Sequence, residues 1–294
     1  MARTHVLVQL IAAFALPVFF GSCDKTTNPV GSVLPVIPGE AVDHAAADLS
    51  RIPQQWIDAA KANLVIAYGH TSHGSQIVTG MSGLVAFAGD QYAFNATGSG
   101  GALQLIDNPF AGASDLGNPD WIAWESATRA YLAQHLEVNV VIWSWCGQVS
   151  TATESNIDTY LALMSGLERD YPAVRFVYMT GHLDGTGTTG NLHQRNEQIR
   201  QYCIQNQKIL YDFADIESYD PDGTYFGNWR PNDNCDYDSN LDGTWDGNWA
   251  VEWQAAHPGE WYACSAAHSQ PLNANRKAYA AWWLWATLAG WDGR

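Results

Sequence analysis

Positive charge is scarce in this chain: 14 Lys and Arg stand against 30 Asp and Glu, for a formal net charge of -16. That argues against nucleic acid as a partner, because binding phosphates requires basic residues to replace counterions. It equally disfavours an anionic membrane surface. Charge of either sign is thin, at 15% of residues, whereas 47% are hydrophobic. A chain of 294 residues with that balance can bury a substantial core, as one large or two ordinary domains, which argues against global disorder. Beyond the first segment, no apolar run reaches the roughly 20 residues of a membrane-spanning helix. Cysteine is sparse too, and after Cys23 only Cys146, Cys203, Cys235 and Cys264 remain. In an exported protein these can pair, and Cys235 with Cys264, flanking a loop-like insertion, is the preferred pair. Cys146 and Cys203 lie in apolar strand and helix patterns, as buried thiols do. What abounds is tryptophan, with 14 residues, most of them expected in the core. Acidity, few charges and many indoles together suit a secreted protein that handles neutral, polar ligands, since sugar rings stack on indole faces.

The N-terminal segment reads as an export signal rather than part of the fold. Arg3 supplies a positive start, Val6 to Phe20 an apolar stretch, and Gly21-Ser22 small residues before Cys23. The Phe-Phe-Gly-Ser-Cys ending resembles a bacterial lipoprotein box, in which Cys23 would carry lipid; leucine is the usual residue where Phe20 stands. A plain cleaved signal peptide is the alternative. The expected organisation is a signal over 1–22, a flexible tether over 23–50 rich in Pro, Gly, Thr and Ala, and a folded body over 51–294. The expected location is outside the cytoplasm, in the cell envelope or secreted, with membrane attachment only through an N-terminal lipid.

From residue 51 strand-like and helix-like segments alternate. Arg51–Ala62 reads as a helix, Asn63–Tyr68 as a strand, and a helix follows from Ser75. A short apolar run covers Ala102–Ile106, an amphipathic helix Trp121–His135, and a near-continuous apolar strand Asn139–Trp145. Helix Ile157–Arg169, strand Val174–Thr180, helix Leu192–Gln205 and strand Ile209–Phe213 follow, and the apolar Ala278–Ala289 closes the chain as a buried helix. This order predicts an α/β fold, a central parallel sheet with helices on both faces. Ligands of such folds sit beyond the carboxyl ends of the strands. Four turns there carry polar residues: 69–75, 146–150, 181–187 and the region before the last helix. The pattern breaks at about 219–262, a segment rich in Asp, Asn, Gly and Trp. Within it Asp238, Asn240, Asp242, Thr244 and Asp246 alternate around Gly243, the spacing of the first nine positions of a calcium loop. Trp249 stands where the loop's bidentate acid belongs, with Glu252 or Asp236 as substitutes; a solvated Asx-rich turn is the other reading.

The chemistry concentrates in Gly69-His70-Thr71-Ser72-His73-Gly74-Ser75, directly after an apolar strand and before a helix. A hydroxyl at such a turn can attack a carbonyl while unpaired helix-terminal amides hold the oxyanion. Its base would come from His268, in the loop before the last helix. These residues resemble the SGNH/GDSL hydrolase superfamily over roughly residues 60–290. The Gly69–Gly74 turn is similar to a variant first block, the glycines of 98–101 fall where the second block lies, Trp145-Cys-Gly147-Gln148 where the third lies, and His268 where the fifth lies. The chain is also similar to exported proteins with a His-x-Ser-x-Gly first block and an Ala289-Gly-Trp291-Asp-Gly type of ending. The resemblance implies a three-layer, flavodoxin-like α/β/α sandwich and a serine esterase acting on acyl, often acetyl, esters of carbohydrates.

Carried onto this sequence, Ser72 (or Ser75) is the nucleophile and His268 the base, and Gln148 and Gly147 stabilise the oxyanion. His70, His73, His182 and Asp184 shape the substrate pocket. The chain departs from the pattern in lacking the third-block asparagine, with Asn191 as a fallback, and the acid before the histidine, where Ser265 stands. Asp184 or a backbone carbonyl would then orient His268. No cofactor is required for this chemistry, and calcium would be structural only. Two alternatives follow: a metal-dependent hydrolase built on His70, His73, His182 and Asp184, and a surface glycan-binding protein on a catalytically silent scaffold.

Overall fold

Val65-Ile-Ala-Tyr-Gly69, Val140-Val-Ile-Trp143 and Arg175-Phe-Val-Tyr-Met179 are apolar at nearly every position, as strands covered on both faces must be. In the computed structural model, which describes residues 39–294, they form the middle of a seven-stranded, all-parallel sheet. In chain order its strands are β1 (Ala41–Val42), β2 (Val65–Gly69), β3 (Phe94–Asn95), β4 (Leu103–Asp107), β5 (Val140–Trp143), β6 (Arg175–Met179) and β7 (Ile209–Tyr211). They lie side by side as β1-β7-β6-β5-β2-β4-β3, with Gly69 opposite Trp143 and Met179 opposite Tyr211.

The helices are α1 (Gln54–Asn63), α2 (Ser75–Ala88), α3 (Ala123–Leu132), α4 (Glu154–Asp170), α5 (Asn191–Gln205), α6 (Phe213–Ile216), α7 (Trp249–Ala256) and α8 (Pro271–Leu288). Helix α8 packs on α1 and α2, and α4 packs on α3 and α5. These two helical layers and the sheet make the three-layer α/β/α sandwich that the alternation predicts. Among the described residues no helix is long and apolar enough to cross a membrane.

Local chemistry explains the element ends. Thr153 and Asn156 form a reciprocal capping box at the start of α4. Helix α8 begins with Pro271 at its first turn, earlier than hydropathy suggests. Asn273, Asn275, Arg276 and Lys277 are buried there alongside the expected Trp282, Leu284 and Trp285. Their polarity reads as surface in a sequence, and it is partner groups in the core that reverse that reading.

Three expectations need correction or placing. The tether does not reach residue 50: Ala41–Val42 is an edge strand, Ala41 opposite Leu210, and Val42, Ala46 and Ile52 join the core. Small residues gave that stretch the composition of a linker. The signal at 1–22, Cys23 and the rest of the tether up to 38 lie outside the described residues. Cys235 and Cys264 do not pair, and the four cysteines among the described residues are free thiols. Cys235 Sγ faces Ser269 Oγ at 3.6 Å, whereas Cys264 Sγ faces Asn275 Nδ2 at 3.4 Å.

The 219–262 insertion contributes α7 and a small antiparallel hairpin of β8 (Asp236–Tyr237) and β9 (Gly247–Asn248), around its own core of Phe226, Cys235, Trp249 and Trp253. What positions the site is the sheet. The chain leaves β2 toward β4 on one side and returns to β5 on the other. The carboxyl ends of β2 and β5 therefore flank the topological switch point, where open α/β sheets hold their ligands.

Candidate active site

The turn after β2 is tight because Gly74 permits it. A Cβ there would lie 2.0 Å from Ser144 Oγ and 2.5 Å from the His70 Cβ. Tyr68 donates its hydroxyl to the Gly74 carbonyl at 2.9 Å, fastening turn to strand. The first turn of α2 is thereby pressed against the end of β5, bringing residues 72 and 73 beside Cys146. Among the described residues no group accepts from the N–H of Ser72, His73 or Gly147. Unpaired amides of this kind bind an anion or a developing oxyanion.

At the centre is a relay of three side chains. Cys146 Sγ lies 3.3 Å from His73 Nδ1, and His73 Nε2 lies 2.9 Å from Asp233 Oδ2. Cys146 is half-buried, His73 is buried and Asp233 is half-buried. Burial is the largest influence on His73 and holds its imidazole below the ordinary value of 6.5, against the pull of the Asp233 hydrogen bond. Burial pushes the Asp233 carboxyl up, but the His73 hydrogen bond and the neighbouring His182 outweigh it and leave it below its usual value. The pair at neutral pH is thus an uncharged base oriented by a carboxylate, the state that accepts a proton from a thiol.

Two further imidazoles stack on this base. The His182 ring lies 3.7 Å from that of His73 at 4°, and the exposed His268 ring lies 4.6 Å away at 20° on the same residue. His268 adopts φ 61, a left-handed conformation costly for a residue with a Cβ, and its loop is held where Ala267 accepts from the buried Gln76 amide. Gln76 and Glu217 both take a bond from the fully buried Lys277. Glu217 also accepts from Leu183 N at 2.8 Å. One core ammonium therefore fastens the α2 turn, the His182 segment and the His268 loop.

Ser72, His73, His182 and His268 thus gather at one sheet edge, but their contacts differ from those expected. Ser72 Oγ lies 3.4 Å from Cys146 Sγ, and among the described residues no hydrogen bond joins it to His268. Ser75 Oγ donates back to the Ser72 carbonyl at 2.6 Å, which ties it into the turn before α2. The Gln148 amide is not aimed at an oxyanion: its oxygen accepts from Cys146 N at 2.9 Å and its nitrogen donates to buried Asp115 at 3.0 Å. Asn191 is tied to the carbonyls of Ser150 and Ala152. The Gly147 N–H makes no hydrogen bond among the described residues. His70 leaves the group, pairing with Asp107 at 2.7 Å, and Asp184 caps its own turn at Thr186. In the 238–246 loop, Asp238 accepts from Asp242 and Gly243 amides, Asn240 from Asp242, Asp242 from Thr244, and Asp246 from Ser239, the pattern of an Asx-rich turn.

Sequence reasoning missed Cys146 and Asp233. Cys146 carried a signal, since it follows β5 directly and so falls at the sheet edge that the ligand rule singles out. Asp233 carried none, lying in the insertion, 160 residues from its partner. Two groups of ligand-type side chains converge among the described residues, His73 with His182 and Asp233, and Asp43 with His44 and Asp215. No protein-family model matches this chain, and no curated protein matches it.

Proposed function

We propose that this protein is an acyl hydrolase that uses Cys146 as nucleophile, His73 as base and Asp233 as the group orienting that base. The observation that carries this reading is the unbroken Sγ–Nδ1, Nε2–Oδ2 relay at the switch point of the sheet. His73 Nδ1 takes the thiol proton, and the thiolate attacks the carbonyl carbon of an ester. The amides of Gly147 and Ser72, which make no hydrogen bond among the described residues, are the donors offered to the tetrahedral oxyanion. It collapses with loss of the alcohol, which takes the proton from His73. Water then gives a proton to His73 and attacks the thioester, releasing the acid and restoring the thiol.

The alcohol portion is read as a neutral, polar one such as a sugar. Trp245, 52% exposed, packs on Gly185 beside the His182 segment, and its indole face offers a stacking surface. A three-layer α/β/α sandwich is the fold that the SGNH resemblance implies, and the relay favours Cys146 over Ser72 as the attacking residue.

The test pairs chemical labelling with turnover. A thiol-directed probe and a fluorophosphonate are each followed by peptide mapping, and Cys146→Ala and Ser72→Ala are assayed on p-nitrophenyl acetate and acetylated sugars. Label on Cys146 with loss of on the order of 10³-fold or more in turnover for Cys146→Ala is expected. Fluorophosphonate on Ser72, with Cys146→Ala fully active, would return the reaction to the serine. Glycan affinity without any turnover would replace the hydrolase with a binding protein.

A further inference from the structure

We propose that His73, His182 and Asp233 form a binding site for a divalent transition-metal ion, with zinc the best fit, and that its occupancy withdraws His73 from Cys146. The second half rests on the thiol reading above; the first does not. The argument begins at His182. Its Nδ1 lies 2.7 Å from the Leu183 carbonyl oxygen, which can only accept, so Nδ1 carries the proton. Nε2 is then a bare lone pair, and it is buried with no hydrogen-bond partner, on a residue only 8% exposed. Leaving a buried acceptor unsatisfied forfeits its solvation with nothing in return. A histidine whose far nitrogen is fixed by a carbonyl, with the near one open, is in the state that metal-binding imidazoles adopt.

The partners suit the same ion. One ligand atom from each of His73, His182 and Asp233 lies within 4.8 Å of the other two, and His73 Nε2 is 2.9 Å from Asp233 Oδ2. Bonds of roughly 2.0–2.2 Å in a tetrahedral zinc shell set neighbouring ligand atoms about 3.3–3.6 Å apart, so these two atoms need only part by about 0.5 Å to admit the ion. Two imidazoles and one carboxylate favour zinc over calcium or magnesium, which require a shell of oxygens.

The rings, however, are nearly parallel, at 4° and 3.7 Å, so their lone pairs run side by side. An ion in the plane of both demands that one ring turn about its Cβ–Cγ bond. His182 is held by a 2.7 Å bond to a carbonyl, whereas His73 Nδ1 touches only sulfur at 3.3 Å. His73 is the ring that turns, and turning carries Nδ1 away from the thiol. The metal-bound and thiol-activating arrangements therefore exclude each other.

Zinc chloride titrated calorimetrically into the purified full-length protein tests this, with Co²⁺ absorption as a second readout. One ion per chain is expected. Affinity should fall on the order of 100-fold or more in His182→Ala and Asp233→Asn and stay within about 2-fold in Cys146→Ala. His182→Gln, checked by its melting profile, stands in if the alanine variant does not fold. Zinc should slow alkylation of Cys146 by iodoacetamide at least about 10-fold in the unaltered protein and leave it unchanged in His182→Ala. No binding, or binding that survives loss of His182, overturns the site, and binding lost in Cys146→Ala replaces it with a cysteine–histidine site. Binding as described with alkylation unaffected, or with turnover raised, overturns the exclusion alone. Should labelling have placed the nucleophile elsewhere, the thiol reading falls while the calorimetry still decides the metal.

Discussion

Whether a cysteine is a quiet core group or a reactive one depends here on its immediate neighbours. Burial pushes Cys203 and Cys235 up to about 12 and Cys264 up to about 11, which keeps all three protonated at neutral pH. Cys146 has His73 Nδ1 at 3.3 Å instead. Iodoacetamide at pH 8 should therefore modify Cys146 but not Cys203, Cys235 or Cys264 in the folded protein, as peptide mapping will show; modification spread over all of these would remove the distinction. The base sets the pH dependence. His73 must be neutral to accept a proton, and its imidazole is held below 6.5, so the acid limb of turnover should fall at a midpoint below that value. Asp233→Asn removes a hydrogen bond that stabilises the charged ring, so it should move the limb lower still and reduce the plateau on the order of 10³-fold. The same shift acts on stability. With the folded value depressed, the contribution of His73 is fully present above 6.5 and is lost as pH falls through the folded value, which urea titrations at stepped pH can follow.

Among the elements, α8 departs most from what its composition suggests. Lys277 is wholly buried, ion-paired to Glu217 and lying 3.7 Å from the centre of the Phe213 ring. Lys277→Met leaves the Glu217 carboxylate buried without its cation and should cost about 3–5 kcal/mol in urea unfolding. Lys277→Met with Glu217→Leu should recover part of that loss, because a neutral pair carries no desolvation penalty. A single-variant loss under about 1 kcal/mol would mean that Leu183 N and Asn273 suffice to hold the carboxylate.

For the whole molecule, the site is assembled from two sources. The sheet supplies Ser72, His73, Cys146 and His182 from the ends of β2, β5 and β6, while the insertion supplies Asp233 and, in the proposed function, Trp245 as the recognition face against Gly185. Chemistry from the sheet and recognition from the insertion should separate kinetically. Trp245→Ala is expected to raise KM for acetylated sugars about 5–10-fold, the worth of one stacking face, while leaving p-nitrophenyl acetate unaffected. Equal losses on both substrates would show that the indole acts on the fold instead.

Periodicity alone determined the layers. The apolar runs at 140–143 and 176–179 read as buried parallel strands, and the alternation with helices pointed to a site at their carboxyl ends. The same logic places His73, His182 and His268 at that edge. Tertiary structure decided which atoms touch: that His70 turns to Asp107, that Gln148 is tied to Asp115, and that His73 meets Cys146. It also decided that Lys277 goes inside and that Asp233 comes in from the insertion. Burial patterns are local and repeat along the chain, so a sequence displays them. Hydrogen bonds between residues 73 and 233 depend on the closure of long loops, and nothing in the intervening residues encodes that distance.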